Sequence, residues 1–156
     1  VENLDELLSL IRKLEGITYF IPPNYPFTDI KTVLLLSLFD EGSYHLIRNL
    51  ARWLEPFHPL IRAFGVTGSK DQVRMDMESS AWKRAVNSYI DPPMSLRTAT
   101  LSGAPPMDLV AGYTDKVKPD LLLVPRKAVG SGKGKILSVK SLKTLIEDRT
   151  APLGIY

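Results

Sequence analysis

At 156 residues the chain can enclose one complete core, with little left for a second domain. Its 44% hydrophobic and 24% charged residues describe a globular protein and exclude a disordered tail. The net charge of +3 is scattered along the chain, without the concentrated Lys/Arg face that neutralising a phosphate backbone requires, so no nucleic-acid partner is expected.

Leu4, Leu7, Leu8, Ile11 and Leu14 recur at helical spacing, with Asp5, Glu6, Arg12 and Lys13 off that face. This predicts an amphipathic helix ending near Gly16. Residues 17–21, bounded by Ile17 and Ile21, are β-branched and aromatic and predict a short strand. Pro22, Pro23, Asn24 and Pro26 then make a stiff linker that continues neither element. The nearly continuous apolar run over 31–37 predicts a buried central strand of a parallel sheet. After a turn at Asp40 to Ser43, residues Leu46, Ile47, Leu50, Ala51 and Leu54 give a helix with one apolar face. A strand over 60–64, a long helix of mixed polarity over 71–89 and a strand over 96–101 follow, the last two separated by Pro92 and Pro93. The next helix, over 105–117, presents Met107, Val110, Ala111, Thr114 and Val117 on one side. A strand over 120–124, a glycine-rich loop, a helix carrying Val139, Leu142, Leu145 and Ile146, and a strand over 152–156 close the chain.

From residue 31 onward strand and helix alternate, which predicts an α/β fold: an open, five-stranded, mostly parallel, doubly wound sheet with helices on both faces. The extra N-terminal helix and strand echo the last ones, since Leu7, Leu10 and Ile11 precede a short strand much as Leu142, Leu145 and Ile146 do. Either any two helix–strand units share such spacing, or residues 1–23 are the end of a preceding copy of the same domain. On the second reading 24–30 is the linker and 31–156 the complete domain. The first ten residues carry three acids and no basic region, so no signal peptide is expected, and no apolar run is long enough for membrane insertion. Zero cysteines exclude disulfides, thiol catalysis and thiolate metal sites.

Three stretches resemble the universal stress protein family, and its tandem members in particular. Thr32-Val33-Leu34-Leu35-Leu36-Ser37-Leu38-Phe39-Asp40 is similar to the family's first strand and turn, and Lys118-Pro119-Asp120-Leu121-Leu122-Leu123-Val124 to its fourth strand. Residues 130–139 and the closing 151–156 are similar to its phosphate loop, last helix and last strand. The resemblance implies a Rossmann-like fold, a cytoplasmic location, a role in stress response, and ATP or another adenine nucleotide as the ligand. It also implies self-association through the final strand, Pro152 to Tyr156, with the N-terminal strand as partner. Two departures stand against full ATP binding. ATP-binding members carry an Asp where Leu38 falls, and their loop reads G-x-x-G-(x)9-G-[ST]. With Ser138 in the last place, Leu137, Pro125 and Ala128 fall at or near the glycine places.

The glycines crowd instead at Gly130, Gly132 and Gly134, in a loop that leaves a strand and enters a helix, so its amides and the helix dipole suit an anion. The candidate nucleotide-binding residues are therefore Gly130, Ser131, Gly132, Lys133 and Ser138 of that loop, with Arg126 before it and Ser37 and Asp40 at the neighbouring strand end. A flexible surface loop is the competing explanation. No Gly-Lys-[Ser/Thr] ending makes it a Walker A loop. His45 and His58 suit a helix face and a loop better than a metal, and Asp71, Asp76 and Glu78 suit a solvated helix face. Met75 and Met77 suit an apolar edge, and Trp53 and Trp82 a core or interface. No catalytic residue and no metal site are assigned. The expected function is a non-catalytic regulatory or stress-response domain that self-associates and has weak or lost nucleotide binding. Slow ATP hydrolysis on the same fold, or a cytosolic sensor domain of a larger protein such as a transporter, are the alternatives.

Overall fold

The computed structural model describes residues 3–26, 29–149 and 151–156. Phe27 and Thr28 of the expected linker lie outside the described residues, as do the side chains of Leu4 and Leu8. The elements in chain order are α1 (Leu4–Lys13), β1 (Thr18–Phe20), β2 (Thr32–Leu36), α2 (Glu41–Leu54), β3 (Leu60–Val66) and α3 (Gln72–Tyr89). β4 (Ser95–Leu101), α4 (Pro106–Val117), β5 (Leu121–Val124), α5 (Val139–Glu147) and β6 (Leu153–Ile155) follow. Each expected element is present, with ends shifted by a residue or two.

All six strands join one sheet in the order β1-β6-β5-β2-β3-β4. Every pairing is parallel except that of β1 with β6, which runs antiparallel in the register Thr18↔Ile155, Tyr19↔Gly154 and Phe20↔Leu153. The extra N-terminal strand is therefore the sixth member of the sheet and covers the outer edge of β6 within one chain. The strand sequence turns back at β2, which has β3 on one side and β5 on the other, so the switch point of the fold lies between the carboxyl ends of β2 and β5.

Side-chain alternation along the strands explains two separate apolar layers. Val33 and Leu35 of β2, Ile61 and Ala63 of β3, and Leu121 and Leu123 of β5 face α2 and α3. Leu34 and Leu36, Phe64 and Val66, and Leu122 and Val124 face α1, α4 and α5. The α2 face buries Leu46, Ile47, Leu50, Ala51 and Leu54, as its spacing predicts. On α4 the buried stripe is narrower than predicted: Val110 and Thr114 are buried and Ala111 is exposed, while Leu109 and Tyr113 pack against the core instead. Met75 packs against the α2/α3 layer, but Met77 is 69% exposed and caps no apolar edge. Trp82 is buried, whereas Trp53 at the end of α2 is half-exposed.

Asp120 fixes the amino end of the sheet. Its Oδ2 accepts the amides of Lys31 and Thr32, at 2.8 and 2.9 Å, which holds the start of β2 beside that of β5.

Candidate functional site

The switch point is framed by the turn after β2 and the loop after β5. Asp40 caps α2: its Oδ1 accepts the Ser43 amide at 2.9 Å and the Ser43 hydroxyl at 3.0 Å. Lys127, from the loop after β5, brings its Nζ to 3.9 Å from Asp40 Oδ2 across the mouth of the switch point. Ser37 is buried, and its Oγ accepts the amide of Phe39 at 2.9 Å, closing a tight turn.

That turn puts Phe39 at φ +51°, a left-handed conformation rare for an aromatic residue. The result is to aim its ring at Gly65 on β3, where an added Cβ would stand 2.6 Å from the ring and 2.8 Å from Met75 Sδ. Phe39 also meets Trp82 edge to face at 5.6 Å between centroids and is only 8% exposed. On the other side, Tyr156 leaves the end of β6 and reaches past β5 to β2. Its hydroxyl donates to the Leu36 carbonyl at 2.8 Å and lies 3.1 Å from Ser43 Oγ. Burial pushes the Tyr156 phenol above its ordinary range; the Asp40 charge adds to this and the hydrogen bond with Ser43 opposes it. Tyr156 thus crosses the carboxyl ends of β5 and β2, while Phe39 packs on the β3 side of β2 against Gly65 and Trp82. Neither was singled out from sequence, and only the left-handed turn and the sheet order place them so.

The glycine-rich loop is a pinched flap. Gly130 donates to the Leu137 carbonyl, and Ile136 and Leu137 donate to that of Ala128, at 2.8–3.0 Å. Lys135 Nζ clamps the Lys127 carbonyl at 2.7 Å. Gly130, Gly132 and Gly134 all have positive φ, of +133°, +106° and +80°, so the crowded glycines serve the shape of the flap. Val129 and Leu137 anchor its two legs in the core, leaving Ser131, Gly132 and Lys133 exposed at the tip. Ser138 caps α5, accepting the Ser141 amide at 3.1 Å, and Met107 of α4 lies over the same turn with its thioether against Ser141. The amides of Val139 and Lys140 belong to the first helical turn and have no partner within the helix. Arg126 points elsewhere: its guanidinium donates to the Gly16 carbonyl at 2.9 Å and its amide to the Tyr156 carbonyl at 2.6 Å.

Of the candidate residues, then, Ser37 and Asp40 gather at the switch point with Lys127. Gly130, Ser131, Gly132 and Lys133 form the flap, Ser138 caps the adjoining helix, and Arg126 ties the N-terminal segment down. His45 pairs with Glu41 one turn away at 3.1 Å, and His58 ends a short turn of helix at φ +46°. Asp76 is not simply solvated: its carboxylate meets Gln72 and the Thr100 hydroxyl of β4. Among the described residues no group of three or more His, Asp or Glu side chains gathers to hold a metal, and no helix is long and apolar enough to cross a membrane.

No protein-family model matches the chain, and no curated protein matches it by sequence. Solved structures do. A universal stress protein in complex with cAMP superposes with a TM-score of 0.55 at 15% identity, over 83% of this chain and 98% of that one. A universal stress protein from Archaeoglobus fulgidus DSM 4304 gives 0.59 at 12% identity, over 95% of this chain and 52% of that one, so the chain spans about half of its length. Another from Archaeoglobus fulgidus gives 0.51 at 15% identity, over 80% and 96%. Sheet order, helix placement and these superpositions agree that the chain has the fold of the universal stress proteins.

Proposed function

We propose that this chain is a non-catalytic regulatory or stress-response domain of the universal stress protein type, with adenine-nucleotide binding weak or lost. The observation that carries this reading is the self-filled switch point. Tyr156 takes up the ground at the carboxyl ends of β2 and β5 where ligands of open α/β sheets sit. Leu38 supplies no acid, Pro125 no amide, and the Leu36 carbonyl is already taken by Tyr156. What remains for a phosphate is the first turn of α5 with Lys127 and Lys133 nearby in sequence, which supports weak anion binding between residues 130 and 138. The cAMP-bound neighbour makes cyclic and linear adenine nucleotides the ligands to compare. Isothermal titration is expected to give dissociation constants above about 0.1 mM for ATP and cAMP, roughly −5.5 kcal/mol or weaker. Low-micromolar binding of either would overturn the reading.

A second element of the proposal is that residues 1–23 are the end of a preceding domain of the same fold. The longer Archaeoglobus fulgidus neighbour supports it, because its superposition takes in 95% of this chain where the shorter ones take in 80–83%. The antiparallel β1–β6 seam is also what two such domains joined by their last strands would share. Self-association through this seam, within a tandem protein or between copies, goes with that reading.

A further inference from the structure

At the amino end of the sheet, opposite the switch point, a cavity of about 130 Å³ lies beneath the seam and presents almost wholly apolar surface. Three aromatic rings from three different elements wall it: Tyr19 from β1, Tyr25 from the linker and Trp53 from the end of α2. Ile21, Ile30 and Leu121 add aliphatic surface. Tyr19 and Trp53 stand nearly perpendicular, at 75° with 6.5 Å between centroids, so they make a corner instead of a stack. The polar groups that border the cavity are engaged elsewhere. Asp120 Oδ2 accepts the amides of Lys31 and Thr32, and the Tyr25 hydroxyl donates to the Asp120 carbonyl at 3.4 Å. That hydroxyl also feels the charge of Arg149, which lines the neighbouring cleft and not the cavity. Tyr25 therefore divides the two, with its polar edge toward the cleft and its ring toward the cavity. The walls are also held in place. The Tyr19 ring rests on Gly154, where an added Cβ would stand 3.0 Å from it. Pro22 and Pro23 stiffen the approach to Tyr25, whose amide closes a turn onto the Pro22 carbonyl at 3.2 Å.

Such a cavity offers water too few polar partners to hold it, and a charged or hydrogen-bonding guest would leave its hydration shell without replacement. An apolar hole of about 150 Å³ in a protein core stays dry and takes up benzene or xenon, so a cavity of this size admits one six-membered ring. The corner between Tyr19 and Trp53 selects further, because it gives a guest ring one face and one edge to meet, the offset and edge-on contacts that aromatic pairs prefer. We propose that this cavity binds a small, uncharged, single-ring aromatic molecule. Ile21 and Trp53 are 52% and 43% exposed, which leaves the mouth open to entry from solvent. The inference does not depend on what the switch point binds.

The full chain is titrated with toluene and with N-methylpyridinium, which has the same shape and a permanent positive charge. The readout is the indole N–H resonance of Trp53, with that of buried Trp82 as the internal control. Toluene is expected to shift Trp53 saturably with a dissociation constant of about 1 mM, and N-methylpyridinium to bind at least about tenfold more weakly. Ile30→Phe places a ring of the chain's own in the cavity; it is expected to abolish the toluene shift while the chain stays as resistant to urea as the wild type. Trp53→Leu, at a half-exposed position that leaves the core intact, is expected to weaken toluene about tenfold by isothermal titration, and it carries the test if Ile30→Phe does not fold. A Trp53 resonance unmoved in buffer saturated with toluene would overturn the proposal. So would equal or tighter binding of N-methylpyridinium, or undiminished toluene binding by folded Ile30→Phe or Trp53→Leu. A Trp53 shift that tracks protein concentration without toluene would also overturn it, and assign the cavity to a second copy of the chain.

Discussion

Replacing Tyr156 with Phe tests whether the chain's last side chain locks the switch point. The substitution keeps the ring and deletes one hydroxyl. That hydroxyl and Ser43 Oγ together have two protons for three contacts: Leu36 carbonyl, the Tyr156–Ser43 pair, and Asp40. The phenol therefore counts as one bond donated to Leu36 and a share of another. At about 1 kcal/mol per buried bond, with the Leu36 carbonyl left unpaired, the loss at neutral pH is about 1–2 kcal/mol. For a chain of this size that is a fall in Tm of about 3–6 °C. The pH dependence gives an independent reading. Because the folded state holds the Tyr156 proton above the ordinary value of 10.0, the unfolded chain releases it first, and wild-type stability falls as pH rises through 10. Burial also raises Tyr19 and Tyr25, but those terms are common to both proteins and cancel in the difference. The fall is about 1.4 kcal/mol per pH unit, so the gap between wild type and Tyr156→Phe closes near about pH 11. Urea unfolding of both proteins at pH 7 and in steps from 9.5 to 11 measures this, the steps being on the order of half a pH unit. Equal stability at pH 7, or parallel loss above pH 10, would show that the hydroxyl is not the lock described here.

Gly65→Ala drives a Cβ into the Phe39 ring and Met75, and is expected to destabilise by about 1–3 kcal/mol in urea, with partial rescue by Phe39→Leu; simple additivity of the two would count against their contact. Asp120→Ala strands the amides of Lys31 and Thr32 and is expected to cost about 1.5–3 kcal/mol, most of it recovered in Asp120→Asn, by the same measurement. Ser138→Ala removes the α5 cap and is expected to cost about 1 kcal/mol, with faster amide exchange confined to the first turn of that helix.

The sheet and its helices were legible because the sequence repeats one physical pattern. Runs such as 32–36 and 121–124 are apolar on both faces, which a strand tolerates only between two helical layers, and the helices between them carry single apolar stripes. The site was less legible for reasons visible in particular residues. Asp40 and Ser138 look like ligand groups, yet each satisfies a helix amide, and a capping residue has the same sequence signature as an anion site. The three glycines mark positive φ, which a hairpin flap and a phosphate cradle both demand. Phe39 and Tyr156 carried no signal, since the packing of Phe39 against Gly65 depends on the handedness of one turn, and the place of Tyr156 at the switch point on β6 lying next to β5. Asp120 reads in sequence as the first residue of a strand, and its clamp on the amides at the start of β2 crosses 88 or more residues of sequence, beyond any local pattern.

The seam between β1 and β6 makes the strongest claim about organisation, and removing residues 1–23 tests it. Leu7 and Ile11 of α1 are 1% and 2% exposed in the layer that also holds Leu142, Leu153 and Ile155. Losing those two side chains alone forgoes about 3–6 kcal/mol of burial, an upper figure because the unfolded chain is itself partly compact. Tyr19, packed against Gly154, goes with them. What is left is β6 with one open edge. The Tyr156 amide donates to Val124 on the β5 side, so alternation turns the amides of Leu153 and Ile155 toward β1. In the full chain these two amides are expected to exchange slowly. In the truncated chain either they exchange fast while that of Tyr156 stays slow, or a dimer forms in which a second copy supplies the missing antiparallel strand and restores them. An unpaired apolar edge in water allows little else. Hydrogen exchange read with sedimentation at two concentrations distinguishes the two results. A truncated monomer in which Leu153 and Ile155 remain as slow as before would mean that β1 adds nothing to the edge, and the seam would then be an accident of packing.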